Sequence, residues 1–449
     1  MESLGLYPTW LVPGLGSGWI VGLIATIHVL FSHTSVGAAV FFAWLASYAN
    51  RTGQPRYLEF IRRYGLFLLV FSYVLGSITG AGIWFSTTVA SPRGISTLIH
   101  NFVWMWATEW VFFLIEVTGV YLLTYLATRV DRATHLRLTL IFGLAAYTTM
   151  LVIVGILSFM LAPGKEAWFT SGGYRLGFFG ANTFAHLAMR TAFMFTMMAL
   201  VGGIIVARFE DRALREALGR KLAWVGLAGT VAGGLLFLAY LRTLPEAATV
   251  VMANRLPPSF GPLMLAAVLG MVAYFTAWLL RPRFLHPVGA WAATVGILVL
   301  GLWPEETARE SIRKPFIAGQ YVYSNQVVAR DVPALGVRAE LPLLEARGFL
   351  ATHAFAPASL RQIHEGNRLE AGRFLAITTC SNCHTLERTG MRPLVNYLGG
   401  VRDVRALAGH LQATVGTGHV LYMPRVPLND AEAEALATYL ATLPAGGPR

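Results

Sequence analysis

Charge is what this chain has least of. Only 13% of its 449 residues are charged and 55% are hydrophobic, against roughly 25% charged in a soluble domain. A wholly soluble chain is excluded; the composition is that of an integral membrane protein with an appended soluble part. The net charge of +12 would suit nucleic acid if the basic residues formed one patch. They fall instead in short clusters between apolar runs, as membrane topology demands, and a nucleic-acid role is set aside. No Lys or Arg precedes the first long apolar run, which itself carries a histidine. A cleavable signal peptide is therefore not expected, and the first helix is expected to stay in the protein. Internal repeats and low-complexity tracts are not evident. Cysteine is almost missing, with two residues in the whole chain.

Both cysteines lie in Cys380-Ser381-Asn382-Cys383-His384. Cys-x-x-Cys-His is the attachment run of a c-type haem: the thiols bond to the porphyrin vinyls and the adjoining histidine ligates the iron. A redox dithiol or half a zinc site has the same cysteine spacing. Zinc, however, needs further Cys or His ligands placed to close a tetrahedron, and no second Cys-x-x-Cys exists. The run is read as a covalent haem c site formed by Cys380, Cys383 and His384.

Apolar stretches of bilayer-spanning length occur at about 18–49, 64–85, 98–128, 136–161, 180–207, 221–241, 260–280 and 288–303. The first, third, fifth and seventh loops carry fourteen Lys and Arg, the second, fourth and sixth only five. The positive-inside rule puts the odd loops in the cytoplasm. Eight spans then leave both termini outside, the side on which bacteria attach haem covalently. The expected location is the bacterial inner membrane, with the lipid bilayer around the spans and the C-terminal part periplasmic.

Three segments follow: a membrane domain over 1–309, an extramembranous connector over 310–363, and a haem-binding domain over 364–449. Scattered prolines mark the connector, and Phe316, Tyr321, Tyr323 and Phe349 argue that it packs on the membrane domain. From His364 a helical pattern leads into the haem motif. Asp430 to Leu443 reads as a second amphipathic helix, and Met423-Pro424 sits in a loop between them. The fold class is all-α: a polytopic bundle of about eight spans with a small all-α domain.

Polar side chains inside spans are expensive and mark function. His28, His33, His100 and His186 lie at such depth. His186 in helix five and Met264 in helix seven enter from the outer face to similar depths, so the two could meet one iron. A His/Met pair leaves no open position and suits electron transfer. Taken singly, a histidine can satisfy a polar contact and a methionine can be core filler. Glu109 and Glu116, seven apart, share one face of helix three. They read as a proton relay or a haem contact, with a structural hydrogen bond as the alternative. Glu305, Glu306 and Arg309, just past helix eight, read on their own as a solvated helix end.

In this order and spacing the membrane part, about 18–316, resembles subunit I of the cytochrome bd quinol oxidases. Leu23-Ile-Ala-Thr-Ile-His28-Val-Leu-Phe resembles the family's first-helix histidine segment. Phe184-Ala-His186-Leu-Ala and Pro262-Leu-Met264-Leu-Ala-Ala resemble the segments that supply the low-spin haem b ligands. Trp303-Pro-Glu-Glu306-Thr-Ala-Arg309, followed by Arg313-Lys-Pro-Phe316, is similar to the family's Glu-x-x-Arg motif and the turn after it. The resemblance implies His186 and Met264 as ligands of a low-spin haem b. It further implies His28 and Glu306 as ligands of two more haems of b or d type, at which oxygen is reduced. Arg309 belongs to the same motif, and Glu109 and Glu116 would supply protons. A second membrane subunit, like subunit II of that family, is implied as partner.

Three departures qualify this. The family's long quinol-binding loop between helices six and seven is replaced by about twenty residues, 241–260, which puts quinol oxidation there in doubt. Its ninth helix is absent. Its arginine before the low-spin Met has no counterpart beside Met264, and Arg190 is expected to partner a haem propionate instead. Residues 364–446 resemble a small class I cytochrome c. That resemblance implies His384 as proximal and Met423 as distal ligand, ahead of Met391, His410 and His419, since Met391 follows the second cysteine too closely to wrap the haem edge.

Two functions are expected from these readings. One is a bd-type terminal oxidase whose c domain exchanges electrons with a periplasmic cytochrome or other donor while oxygen is reduced to water. The other is a relay between quinone and periplasmic cytochrome that reduces no oxygen. A purely structural scaffold is disfavoured by six candidate iron ligands.

Overall fold

The computed structural model describes residues 11–127, 129–180, 182–353 and 355–444; the side chains of Lys165 and Arg283, two of the counted loop charges, lie outside the described part. Among the described residues, eight helices are long and apolar enough to cross a membrane: α1 Trp19–Thr52, α2 Arg56–Ala90, α3 Pro92–Tyr125, α4 Arg132–Leu161, α5 Thr183–Val206, α6 Arg212–Leu241, α7 Phe260–Leu280 and α8 Pro287–Arg313. All eight expected spans are present. Several differ from expectation in extent, among them α6, which starts at Arg212 and not near 221. Helix α2 starts earlier, because its opening segment Arg56–Leu68 is strongly amphipathic: Glu59, Arg62 and Arg63 bond to one another on one face while Tyr57, Phe60, Ile61 and Tyr64 are buried.

The end of α8 matters more. Hydropathy falls after Trp303, yet the helix runs on to Arg313. Pro304 lacks an N–H and would normally break a helix. A π-helical stretch, Leu298–Leu302, stands just before it, the widened turn in which a helix absorbs such a residue. Glu305, Glu306 and Arg309, expected at a solvated helix end, therefore lie on a continuing helix, where Glu306 is 1% exposed. Glu310 to Arg313, assigned to the connector by sequence, belong to the same helix.

The central core joins α1, α2, α4, α5 and α6 through Phe42, Phe60, Tyr64, Phe142, Met198 and Leu222. At the crossing of α1 and α5, a side chain on Gly37 would collide with the Met194 carbonyl, so glycine lets the two backbones meet there. Asp131 and Asp211 cap α4 and α6 by accepting backbone N–H bonds.

The connector divides between two bodies. Its first half forms a hairpin, β1 Phe316–Ala318 and β2 Val322–Tyr323, paired Phe316 to Tyr323 and Ala318 to Val322. That half packs with Val328 and Val332 on Phe102 of α3, Phe159 of α4 and Trp168 of the short helix Lys165–Ser171. Its second half, with Leu344, Phe349 and Leu350, enters the core of the C-terminal domain. There the Arg368–Leu375 helix crosses the Asp430–Thr442 helix. Gly372 allows this crossing, since a Cβ would collide with the Ala435 carbonyl. Asn429 and Glu432 form a capping box, and Glu432 also accepts the Leu350 N–H at 2.7 Å.

Candidate functional site

The Cys-x-x-Cys-His run begins where the Arg368–Leu375 helix passes through a π turn at Ala376–Cys380. The Cys380 carbonyl then accepts from the N–H groups of Cys383 and His384 at 3.1 and 3.0 Å. This one turn gathers both sulfurs and the imidazole. His384 Nδ1 donates to the Arg392 carbonyl at 3.0 Å, which fixes the tautomer and leaves Nε2 as the available lone pair. Both thiols are free. Burial pushes Cys380 up to about 11 and His384 down to about 4, so both are neutral near pH 7. The attacking thiol of a Cys-x-x-Cys oxidoreductase is instead held low. Among the described residues, no three His, Cys, Asp or Glu side chains gather as a metal-ion site, as zinc would require. The residues fit the covalent haem that the motif implies.

Met423 is half-buried in its loop. Met391 is tied by its backbone N–H to Gly14 at 2.8 Å, and His410 and His419 are exposed.

This motif sits on the membrane bundle itself. Ser17 N–H donates to the Ser381 carbonyl at 3.0 Å, Trp19 Nε1 to the Cys383 carbonyl at 3.4 Å, and Lys314 Nζ to Asn382 Oδ1 at 2.7 Å. Side chains at Gly16 or Gly18 would strike the carbonyls of Ser381 and Asn382. The starts of α1 and the end of α8 thus form the floor beneath the haem motif. The short link between α6 and α7 joins this floor as a helix, Glu246–Arg255, whose Ala248 shares a buried cluster with Ile312 of α8.

Beneath the floor, an apolar cleft of about 840 Å³, its open mouth included, lies between α1, α5, α6, α7 and α8. Met264, Met271, Phe193, Phe237 and Met197 line it, with His33, Arg190 and Glu305 as its polar rim. Met264 therefore stands where sequence expected a ligand. His186 does not border the cleft: Arg190 Nε donates to His186 Nε2 at 2.6 Å, and Arg190 Nη1 lies 3.1 Å from His33 Nε2. His186 also faces Ser158 at 3.4 Å and the Tyr240 ring at 5.0 Å. The buried guanidinium of Arg190 thus binds two imidazoles, and His186 and Met264 are not brought into one cleft. In chemistry Met264, His33 and the Arg190 cation, which border the cleft, suit a haem with carboxylate side chains. Of the adjacent acids Glu305, not Glu306, borders the space.

Both oxygens of Glu306 are bonded to Arg309, through Nε at 2.8 Å and Nη2. His28, on α1, has Nδ1 3.1 Å from the Gly76 carbonyl and from Thr79 Oγ1, an anchor that leaves Nε2 available. Glu116 is buried in α3; its Oε2 accepts from Tyr73 at 3.3 Å, and Tyr73 accepts from Ser35 at 2.7 Å. Its Oε1 is buried with no hydrogen-bond partner among the described residues. Glu109 is half-buried on the same face. His100 is exposed and bonded to its own helix through Ser96.

Sequence reading overlooked Tyr73 and Ser35, read Glu305 only as part of a solvated helix end, and counted Arg255 only as a loop charge. Tyrosine and serine in apolar runs carry no signal of their partners, and Arg255 meets Tyr422 only through the tertiary fold.

These elements define an all-α, polytopic helix bundle carrying a small all-α domain on one end. The architecture is similar to that of the bd oxidase from Geobacillus thermodenitrificans, with a TM-score of 0.54 and 14% identity over 69% of this chain and 88% of that one. At this identity the likeness is one of fold. No protein-family model matches the chain, and no curated protein matches its sequence.

Proposed function

We propose that this chain is the haem-bearing subunit of a bd-type terminal oxidase, with its C-terminal domain serving as a covalent cytochrome c that exchanges electrons with the membrane bundle. One observation carries the proposal: the Cys380–His384 turn rests directly on the ends of α1 and α8, which also carry His28, His33, Glu305 and Glu306. The fold likeness to a bd oxidase supports the same reading. When bound, haem iron supplies one-electron chemistry and, where a position is open, oxygen binding.

The residues divide that work. Cys380, Cys383 and His384 would hold the c haem, with Met423 as distal ligand. Met264 with His186 would hold the low-spin b haem, Arg190 turning from the imidazole to a propionate. His28 and Glu306 would hold the two further b- or d-type haems, with Arg309 neutralising Glu306. Glu116, hydrogen-bonded to Tyr73 and beyond it Ser35, would hold and release protons, with Glu109 toward the outside. Trp104, Trp110 and Leu114, more than half exposed on α3, offer an apolar face to lipid or to a second membrane subunit. The 241–260 link, folded against α8, supports entry of electrons from a periplasmic donor in place of quinol.

The relay that reduces no oxygen is favoured by a single observation, the occupation of both Glu306 oxygens by Arg309. Oxygen consumption by the purified complex with a cytochrome c reductant, together with a carbon monoxide difference spectrum, separates the two. Uptake of oxygen and a carbon monoxide signal are expected. If no ferrous haem binds carbon monoxide, the oxidase reading fails.

A further inference from the structure

We propose that Arg255 and Arg392 form a carboxylate seat in the seam between the membrane bundle and the C-terminal domain, filled by a porphyrin propionate. The proposal rests on the haem reading above. Arg255 closes the short helix between α6 and α7, and Arg392 follows the haem motif. The Nη1 of each is buried without a hydrogen-bond partner among the described residues. Other faces of the two groups are already used. Arg255 lies 4.7 Å over the Tyr422 ring and Arg392 lies 5.2 Å over the Trp19 ring. Arg392 Nη2 donates to Ser311 Oγ at 2.8 Å. Neither guanidinium is in an ion pair among the described residues.

Two guanidinium groups in one seam, each with a buried N–H unmet, are costly unless an anion meets them. A guanidinium fork matches a carboxylate's two oxygens. Which carboxylate follows from position. The Arg392 carbonyl accepts from His384 Nδ1 and Arg255 stacks on Tyr422, next to Met423; His384 and Met423 are the residues assigned to the c-haem iron, and a porphyrin's own carboxylates must lie within a ring's breadth of its iron. The second possible source is a propionate of a haem in the bundle, because Ser311, the partner of Arg392, stands on α8.

The test is a redox titration of the full complex, followed at the c and b absorption bands. The variants are Arg255→Gln, Arg255→Lys, Arg392→Gln and, as a charge control, Arg405→Gln at an exposed site on the C-terminal domain. Ferric haem carries one positive charge more than ferrous, so removing a neighbouring cation favours the ferric form and lowers the midpoint. Arg255→Gln and Arg392→Gln are expected to lower the c-haem midpoint more than Arg405→Gln does, with Arg255→Lys shifting it least. A shift confined to the b haem assigns the carboxylate to the bundle. Midpoints of both haems no lower than in Arg405→Gln overturn the seat. Should Arg392→Gln fail to acquire haem, Arg255→Gln, outside the C-terminal domain, carries the test. A wild-type chain without covalent haem overturns the cytochrome reading itself, and the seat with it.

Discussion

The two candidate haem regions are built in opposite ways. In the C-terminal domain, five consecutive residues bring both thiols and the imidazole together, and the partner that orients His384 is the nearby Arg392 carbonyl. In the bundle, the candidates come from α1, α5, α7 and α8, and several are held by arginines: His186 and His33 by Arg190, Glu306 by Arg309. A local site is complete once its segment has turned. A distributed site needs every helix in place, and its buried polar atoms must find substitutes wherever a ligand is not gripping them.

That contrast can be broken most sharply by deleting one site at a time. Cys380→Ala with Cys383→Ala should abolish covalent haem on a haem-stained denaturing gel while the b spectrum persists. His186→Ala should remove the low-spin b signal and leave the c signal intact. Loss of both signals in either variant, or an unchanged b spectrum in His186→Ala, would contradict the separation.

A smaller effect is expected at the glycine crossings. Gly372→Ala forces a methyl against the Ala435 carbonyl and should destabilise the C-terminal domain by about 1–3 kcal/mol. Thermal unfolding followed at the c band should move, and the b band should not. An unchanged c transition would mean the helix crossing is looser than the structure describes.

The smallest concerns the seam. Arg93 donates to both oxygens of Glu340 at 2.8 and 2.6 Å. Burial alone would raise the Glu340 carboxyl, but these bonds and the Val328 N–H outweigh it and hold it below its ordinary value. A folded value below the unfolded one, about 4.3, stabilises fully above that pH, and the contribution is lost as pH falls through the folded value. Glu340→Gln should therefore loosen the connector by about 1 kcal/mol or less. Limited proteolysis should cut it faster at neutral pH, with the difference from wild type fading in acid.

Legibility followed the same divide. The Cys-x-x-Cys-His run was readable because it is contiguous, and the eight spans because hydropathy is a property of single segments. The end of α8 was not: Pro304 and the charges after it imitate a helix terminus, and only tertiary packing, against α1 and the 241–260 link among others, buries this stretch. His186 and Met264 each lie in the opening turns of their helices. Depth says nothing of which way a side chain turns, and Arg190 came between them. Arg190 itself had been singled out, though for a propionate and not for imidazoles.

The close approach of Gly16 and Gly18 to the carbonyls of Ser381 and Asn382 has a kinetic meaning. A redox domain on a slack tether works as a ferry, and its turnover depends on solvent viscosity and tether length. Here backbone meets backbone at the crossing point, so direct contact closes the gap between the C-terminal domain and the bundle. On the proposed reading, any step that must wait for diffusion would fall to the far side of that domain, where a separate donor would arrive.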